Sequence, residues 1–175
     1  LCWDGKVLFQ STRLDAYQDS LNILKEKNLA YHCECSRQRV NALRGIYDNH
    51  CRRSNLSSTD NATRLRLNQP NHLIEFVDQI VGQYTQSLTH DVGDFVIRRR
   101  DNLFSYQLAV TIDDQYQKVT HVMRGSDLLD STPRQIYLQR CLGFTQPQYA
   151  HLPVAISPLG QKLSKQNLAS ALVPG

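Results

Sequence analysis

With 175 residues and a net charge of +4, from 20 Lys and Arg against 16 Asp and Glu, the chain has room for one domain or one and a half, burying roughly 70% of its unfolded surface. No run approaches the ~18 apolar residues of a membrane span, or the shorter apolar core of a signal peptide, which makes the cytoplasm the default compartment. Five cysteines, an odd count with Cys33, Cys35 and Cys51 close together, argue for a metal site or reduced thiols rather than a disulfide framework.

In chain order, Ser11 or Thr12 is placed to cap a helix running to about Lys27, with Leu14, Tyr17, Leu21 and Leu24 on one stripe and Asn28 at its end. Residues 31 to 66 are polar and cysteine-bearing, with a short helix after Ser36 that stops near Gly45, and are poor in material for a large core. Arginines crowd this stretch at Arg37, Arg39, Arg44, Arg52, Arg53, Arg64 and Arg66, followed by Arg98, Arg99 and Arg100. Such crowding suits phosphate contacts, and a solvated basic face is an equal alternative. Thr63 to Leu67 alternates like an edge strand, and a second strand fits within His72 to Val81. Phe95-Val96-Ile97 leads through a charged run to a turn at Asp101-Asn102, and the apolar segment from Tyr106 to Ile112 fits either helix or strand. Val119 to Met123 reads as a buried strand. Thr132-Pro133-Arg134-Gln135 has the form of an N-cap, a first-turn proline and a capping-box glutamine, opening a helix that stops at Gly143. Ala150 to Ile156 is a last strand. Strand, helix, strand and loop in this order describe an α/β fold with a parallel half-sheet.

Three thiols, Cys33, Cys35 and Cys51, with the phenol of Tyr47 between them in sequence, match the ligand count of a closed tetrahedral zinc site. Spacing alone leaves the fourth ligand open. His50, and also His32, are ordinary zinc ligands, whereas a phenol with a reference pKa near ~10 must be ionised by the metal, so spacing ranks His50 ahead of Tyr47. Free buried cysteines without metal are the plain alternative. Cys2 and Cys141 read as core thiols, Asp113-Asp114 as a turn or cap more than a Mg²⁺ site, and His72, His90 and His121 show no spacing for a triad or a metal.

Two further segments carry chemistry. Arg124 ends an apolar strand just before Gly125, where a guanidinium can hold a ligand carboxylate in bidentate fashion; the alternative is a salt bridge to Asp127 or Asp130. Lys162-Leu163-Ser164-Lys165 by itself is a weak motif, but it follows His151-Leu152-Pro153 and the hinge-like Gly160. Tyr106, taken alone, reads as a core residue with a wet hydroxyl.

The segment from His121 to Gln135, the loop Gly160 to Asn167 and the pocket-like run Phe104 to Val110 together resemble the class I aminoacyl-tRNA synthetases of the glutamate branch. Within that branch, Cys33, Cys35, Tyr47-Asp48 and Cys51-Arg52, with Gln166-Asn167 after the second lysine, resemble the small glutamyl-queuosine tRNA(Asp) synthetases more than ordinary glutamyl-tRNA synthetases. The resemblance implies that Tyr47, ahead of His50, completes one structural zinc site with Cys33, Cys35 and Cys51. It implies Lys162 and Lys165 as catalytic, both with Ser164 as ATP-binding, and Tyr106 and Arg124 as glutamate-binding. ATP with Mg, glutamate and tRNA(Asp) bearing queuosine are then the partners, with no membrane and a monomeric state. Glutamyl-adenylate forms first, and glutamate then passes to the queuosine base in the anticodon. The implied fold is part of a Rossmann-type parallel sheet: residues 1–30 end its first half, residues 31–105 form an inserted zinc-bearing, tRNA-facing subdomain, and residues 106–175 form the second half with the lysine loop. The family's histidine-containing nucleotide motif does not occur, so the chain reads as an internal piece that alone does not activate glutamate. Two other readings remain: a piece of an ordinary glutamyl-tRNA synthetase, or a non-catalytic zinc-dependent RNA-binding module.

Overall fold

A computed structural model of the chain describes residues 5–54, 56–57, 60–69, 71–157 and 163. The first helix, α1 (Leu14–Glu26), buries Tyr17, Leu21 and Leu24 at i, i+4 and i+7, as its apolar stripe requires, while Leu14 stays half exposed. Neither Ser11 nor Thr12 caps it. Both lie in a preceding 3-10 turn, the Thr12 hydroxyl donates to the Phe9 carbonyl, and Arg13 takes the cap position without a side-chain bond. The helix start is tied instead to a distant helix: Arg13 Nε and the Tyr17 hydroxyl donate to the Asp113 carboxylate at 3.1 and 2.6 Å. Asp113 lies inside a helix and anchors α1, rather than serving the turn or cap that the sequence suggests.

Two sheets follow. The smaller is antiparallel, in the order β1 (Ala30–Cys33), β2 (Ala62–Leu65), β5 (Phe95–Arg98). All four residues of β2 are buried because it is the central strand and not an edge. The larger sheet runs β4 (Gly82–Ser87), β3 (Leu73–Asp78), β7 (Gln148–Leu152), β6 (His121–Gly125). Here β3, β7 and β6 are mutually parallel and β4 is antiparallel, so the half-sheet is mixed. Residues 31–105 therefore contribute to both sheets, through β2 and β5 in one and the β3–β4 hairpin in the other. The apolar run Val119 to Met123 predicts a buried strand, but β6 lies at the edge and leaves Met123 68% exposed. An edge position covers one side of a strand only.

The segment of undecided period is a helix, α4 (Tyr106–Tyr116), because the Ser105 hydroxyl accepts from Leu108 N at 3.3 Å and caps it, while Leu108, Ala109 and Ile112 bury one face. The next helix, α5 (Thr132–Leu142), ends at Gly143, whose φ of +76° allows Phe144 N to reach the Gln139 carbonyl at 2.8 Å. Thr132 is its first residue rather than its cap, and its hydroxyl is used elsewhere. Two short helices, α2 (Arg37–Ala42), capped by Ser36, and α3 (Leu88–Asp91), complete the α-helices among the described residues. One core joins α1, α4, α5 and the larger sheet through Leu21, Leu24, Ile74, Leu108, Ile136 and Leu138, and a second small core holds Tyr31, Cys33, Tyr47 and Cys51. Among the described residues no helix is long and apolar enough to cross a membrane.

Candidate functional site

Cys33 sits at the end of β1, Cys35 two residues on, and Cys51 in a 3-10 turn that starts after Asn49 in a left-handed conformation. Their Sγ atoms lie within 4.8 Å of one another, and Cys35 and Cys51 are 3.5 Å apart. Tetrahedral zinc with ~2.3 Å bonds sets sulfurs roughly 3.8 Å apart, so the trio fits such an ion with little adjustment. The Tyr47 hydroxyl joins them at 3.4 Å from Cys33 Sγ and 3.7 Å from Cys35 Sγ, and it accepts from Cys51 N at 2.8 Å. No histidine nitrogen joins the sulfurs among the described residues. The His50 backbone faces Asp48, and the His32 ring lies 3.4 Å from Lys25 Nζ.

Tyr47 is carried to this point by a parallel bridge to Gly93, whose φ is +71° and where an added Cβ would stand 2.4 Å from the Tyr47 carbonyl oxygen. Buried Arg64 completes the surroundings: its Nε donates to Cys33 Sγ at 3.1 Å, its Nη1 to the Asp94 carbonyl at 2.7 Å, and its Cζ lies 3.7 Å from the Tyr47 ring centre. Burial pushes the Cys33 thiol up, but hydrogen bonding with Tyr47 and Arg64 outweighs it and holds the pKa below the ordinary value. Burial pushes Cys35 up to about 11. Fully buried Asp94 locks the lobe together, accepting from Arg52 Nη2 at 2.6 Å, Tyr31 OH at 2.6 Å and Leu67 N at 2.8 Å.

The second constellation forms where β6 and β7 end. Arg124 and His151 are register partners on these neighbouring strands. Arg124 Nε donates to His151 Nε2 at 3.1 Å, Nη2 to Thr132 Oγ1 at 2.7 Å, and Nη1 to the Tyr106 hydroxyl at 3.3 Å. These partners are an imidazole, a hydroxyl and a phenol. The Asp130 carboxylate is not among the partners of Arg124; it accepts from the Tyr84 hydroxyl at 2.7 Å. Behind His151, its Nδ1 lies 2.6 Å from Asp78 Oδ2, and both side chains are fully buried. Asp78 Oδ1 also accepts the backbone N–H of Ile80, Val81 and His151, at 3.0, 3.0 and 3.1 Å. Burial pushes this carboxyl up, yet the hydrogen bonds from Val81, His151 and Ile80 bring its pKa down to about 2.

Tyr106 also opens onto a cleft of about 640 Å³ that runs to the cysteine lobe, with Arg37, Arg64, Arg99, Arg100 and Arg134 on its walls. Of the residues singled out in the sequence, Cys33, Cys35, Tyr47 and Cys51 come together in one place, and Tyr106 and Arg124 in another. Lys162, Ser164 and Lys165 lie outside the described residues, as does Cys2; Cys141 packs partly buried against the main core. Sequence reasoning missed Asp78, His151, Thr132, Arg64 and Asp94. The available signal was an ionisable residue inside an apolar strand, as His151 is in Tyr149-Ala150-His151-Leu152, since a buried polar group needs partners.

The model of the class I tRNA synthetase (E and Q) catalytic domain matches residues 1–173. Glutamyl-Q tRNA(Asp) synthetase of Pseudomonas putida KT2440 is 50% identical over 165 residues, covering 94% of this chain and 54% of that protein. The proteins of the same name from Pseudomonas fluorescens Pf-5 and Dechloromonas aromatica are 51% and 49% identical, covering 93% and 97% of this chain and 54% and 59% of those proteins. The chain thus spans a little over half the length of these curated relatives. Among solved structures, a glutamate tRNA ligase from Elizabethkingia meningosepticum in complex with its amino acid superposes with a TM-score of 0.75 at 24% identity, over 93% of this chain and 37% of that one. That likeness concerns the fold.

Proposed function

This chain belongs to the class I tRNA synthetases of the glutamate and glutamine type, and from that membership we propose that the protein carrying it activates glutamate with ATP and passes it to the queuosine base in the anticodon of tRNA(Asp). The observation that carries the reading is Arg124, whose guanidinium donates to His151, Thr132 and the Tyr106 hydroxyl, in a chain about half identical to glutamyl-Q tRNA(Asp) synthetases. A guanidinium so placed suits a carboxylate, and a neutral phenol next to it orients one. A second carboxylate of glutamate attacks the α-phosphorus of ATP, bound with Mg; the bond to pyrophosphate breaks and glutamyl-adenylate forms. Lys162 and Lys165, with Ser164, meet the charge that grows on the departing phosphates. The queuosine base then attacks the acyl carbon and AMP leaves.

In this reading Cys33, Cys35, Tyr47 and Cys51 hold one structural zinc, and the 31–105 insert with its arginine-lined cleft faces the tRNA. The converging sulfurs and the phenol support the zinc, and the basic walls suit phosphates.

The test is pyrophosphate exchange by the full protein, followed by transfer of labelled glutamate to tRNA(Asp) with and without queuosine and to tRNA(Glu). Exchange with glutamate and labelling of queuosine-bearing tRNA(Asp) alone are expected. Labelling of tRNA(Glu) would make it an ordinary glutamyl-tRNA synthetase, and tRNA binding without exchange an RNA-binding module. Lys165→Ala lowers kcat by about 10²-fold with little change in the glutamate KM, whereas Arg124→Ala raises that KM strongly.

A further inference from the structure

The geometry points to Asp78 and His151 as a positioning pair that sets the donor geometry of Arg124 for an anionic ligand; the ligand side of this inference rests on the glutamate reading above. The argument starts from what each atom can do. Arg124 has no acceptor, so its Nε–H donates, and His151 Nε2, 3.1 Å away, presents a lone pair. The ring proton then sits on Nδ1, where Asp78 Oδ2 receives it at 2.6 Å. His151 is thereby held neutral in a single tautomer between a carboxylate and a guanidinium. Asp78 cannot rotate away, because its other oxygen accepts three backbone N–H groups that close the β3–β4 turn and bind the β7 backbone.

The consequence lies in which edge of the guanidinium is used. Nε and Nη2 share one edge of the planar fork, and His151 with Thr132 occupies that edge. Thr132 Oγ1 also lies 3.1 Å from His151 Nε2, so the three groups form one closed contact. The Nη1–Nη2 end of the fork is left directed at the region of the half-exposed Tyr106 hydroxyl. A carboxylate taken end-on there meets a cation whose plane is already set, and the ordering cost falls on folding rather than on binding.

The test compares two amide variants that each keep half of the imidazole. His151→Asn keeps a donor near Asp78 and loses the acceptor for Arg124; His151→Gln keeps an acceptor at Arg124 and loses the donor to Asp78. In the full protein, His151→Asn is expected to raise the glutamate KM about tenfold or more with the ATP KM unchanged, and His151→Gln is expected to recover most of that loss. Long-range proton–nitrogen correlation of the His151 ring reads the tautomer without any substrate, and a neutral Nδ1–H ring is expected. Equal increases in the KM of glutamate and ATP for both variants, or an Nε2–H or doubly protonated ring, would overturn the assignment. If the wild-type protein activates no glutamate, the functional reading fails by itself. The pair is then judged on the Arg124 Nε–H resonance, which should lose its protection from exchange in His151→Asn but not in His151→Gln; unchanged protection in both would sink it.

Discussion

The cysteine lobe and the Arg124 pocket solve the same problem, holding polar groups at fixed positions away from water, by opposite means. The pocket is self-sufficient. His151 and Asp78 are fully buried, and each is satisfied by strands and turns that the large core already holds in place. The lobe has a small core, Tyr31, Cys33, Tyr47 and Cys51, with only partly buried Cys35, Val40 and Leu56 packed against it. Its buried groups are chiefly thiols and phenols, which give little apolar stabilisation against the entropy of ordering the loops around them. The lesson is that a polar insert needs an outside contribution, and Cys33, Cys35 and Cys51 converge in a group that could hold a metal ion. A strand-end site on a packed sheet needs no such contribution.

The largest expected effect tests that division. Cys51→Ala, or removal of metal by a strong chelator, should take zinc from one per chain to none by elemental analysis and unfold the lobe, because metal binding at structural sites is worth on the order of 10 kcal/mol of folding energy. Amide exchange should then rise through β1, β2 and the Cys51 turn while β3, β6 and β7 stay protected. Loss of protection in both regions at once would mean that they are one cooperative unit. Tyr47→Phe should release zinc and His50→Ala should retain it; the reverse would move the fourth ligand to the histidine.

A smaller effect is expected at Gly93. A methyl group there meets the Tyr47 carbonyl at 2.4 Å, and the +71° φ is unfavourable for alanine, so Gly93→Ala should displace Tyr47 and weaken zinc retention in chelator competition by about tenfold without emptying the site. Unchanged retention would show that the phenol's position does not depend on this bridge.

An effect of similar size concerns the pocket. The carboxyl of Asp78 is depressed to about 2 in the folded chain, against about 3.9 when unfolded, so its contribution is present above pH ~4 and is lost as pH falls through about 2. Asp78→Asn should cost about 2 kcal/mol at neutral pH, and the gap between the two denaturation midpoints should close as pH falls from about 4 to 2. A gap that stays constant over this range would show that the charge of Asp78 is not what stabilises the strand ends.

Much of the element list was legible in the chain, for local reasons. The stripe of Tyr17, Leu21 and Leu24 specifies a helix, Ser36 a cap and Gly143 a stop, and each acts within a turn of itself. The errors share a cause. The alternation of Thr63 to Leu67 suits an edge yet β2 lies at the centre, and Val119 to Met123 suits a buried strand yet β6 lies at the edge, because strand order is set by pairing partners far away in sequence. β4 was missed because it presents Gln83, Thr85 and Gln86, and what makes it a strand is the Asp78-anchored turn that folds it onto β3. Thr132 has the look of a cap, but its hydroxyl is drawn to Arg124 and His151, which no local pattern reveals.

The identity and clustering of Cys33, Cys35, Tyr47 and Cys51, and the presence of Tyr106 and Arg124, were available from sequence because short spacings and residue chemistry are one-dimensional facts. Which atoms meet was not. That the phenol rather than an imidazole stands among the sulfurs follows from the bridge of Tyr47 to Gly93, across more than forty residues of chain. That Arg124 meets Tyr106, Thr132 and a neutral His151 braced by Asp78 follows from the parallel register of β6 on β7 and of β7 on β3. Hydrogen bonds are directional and short-ranged, so only the packing that brings distant strand ends to within about 3 Å can choose the partners.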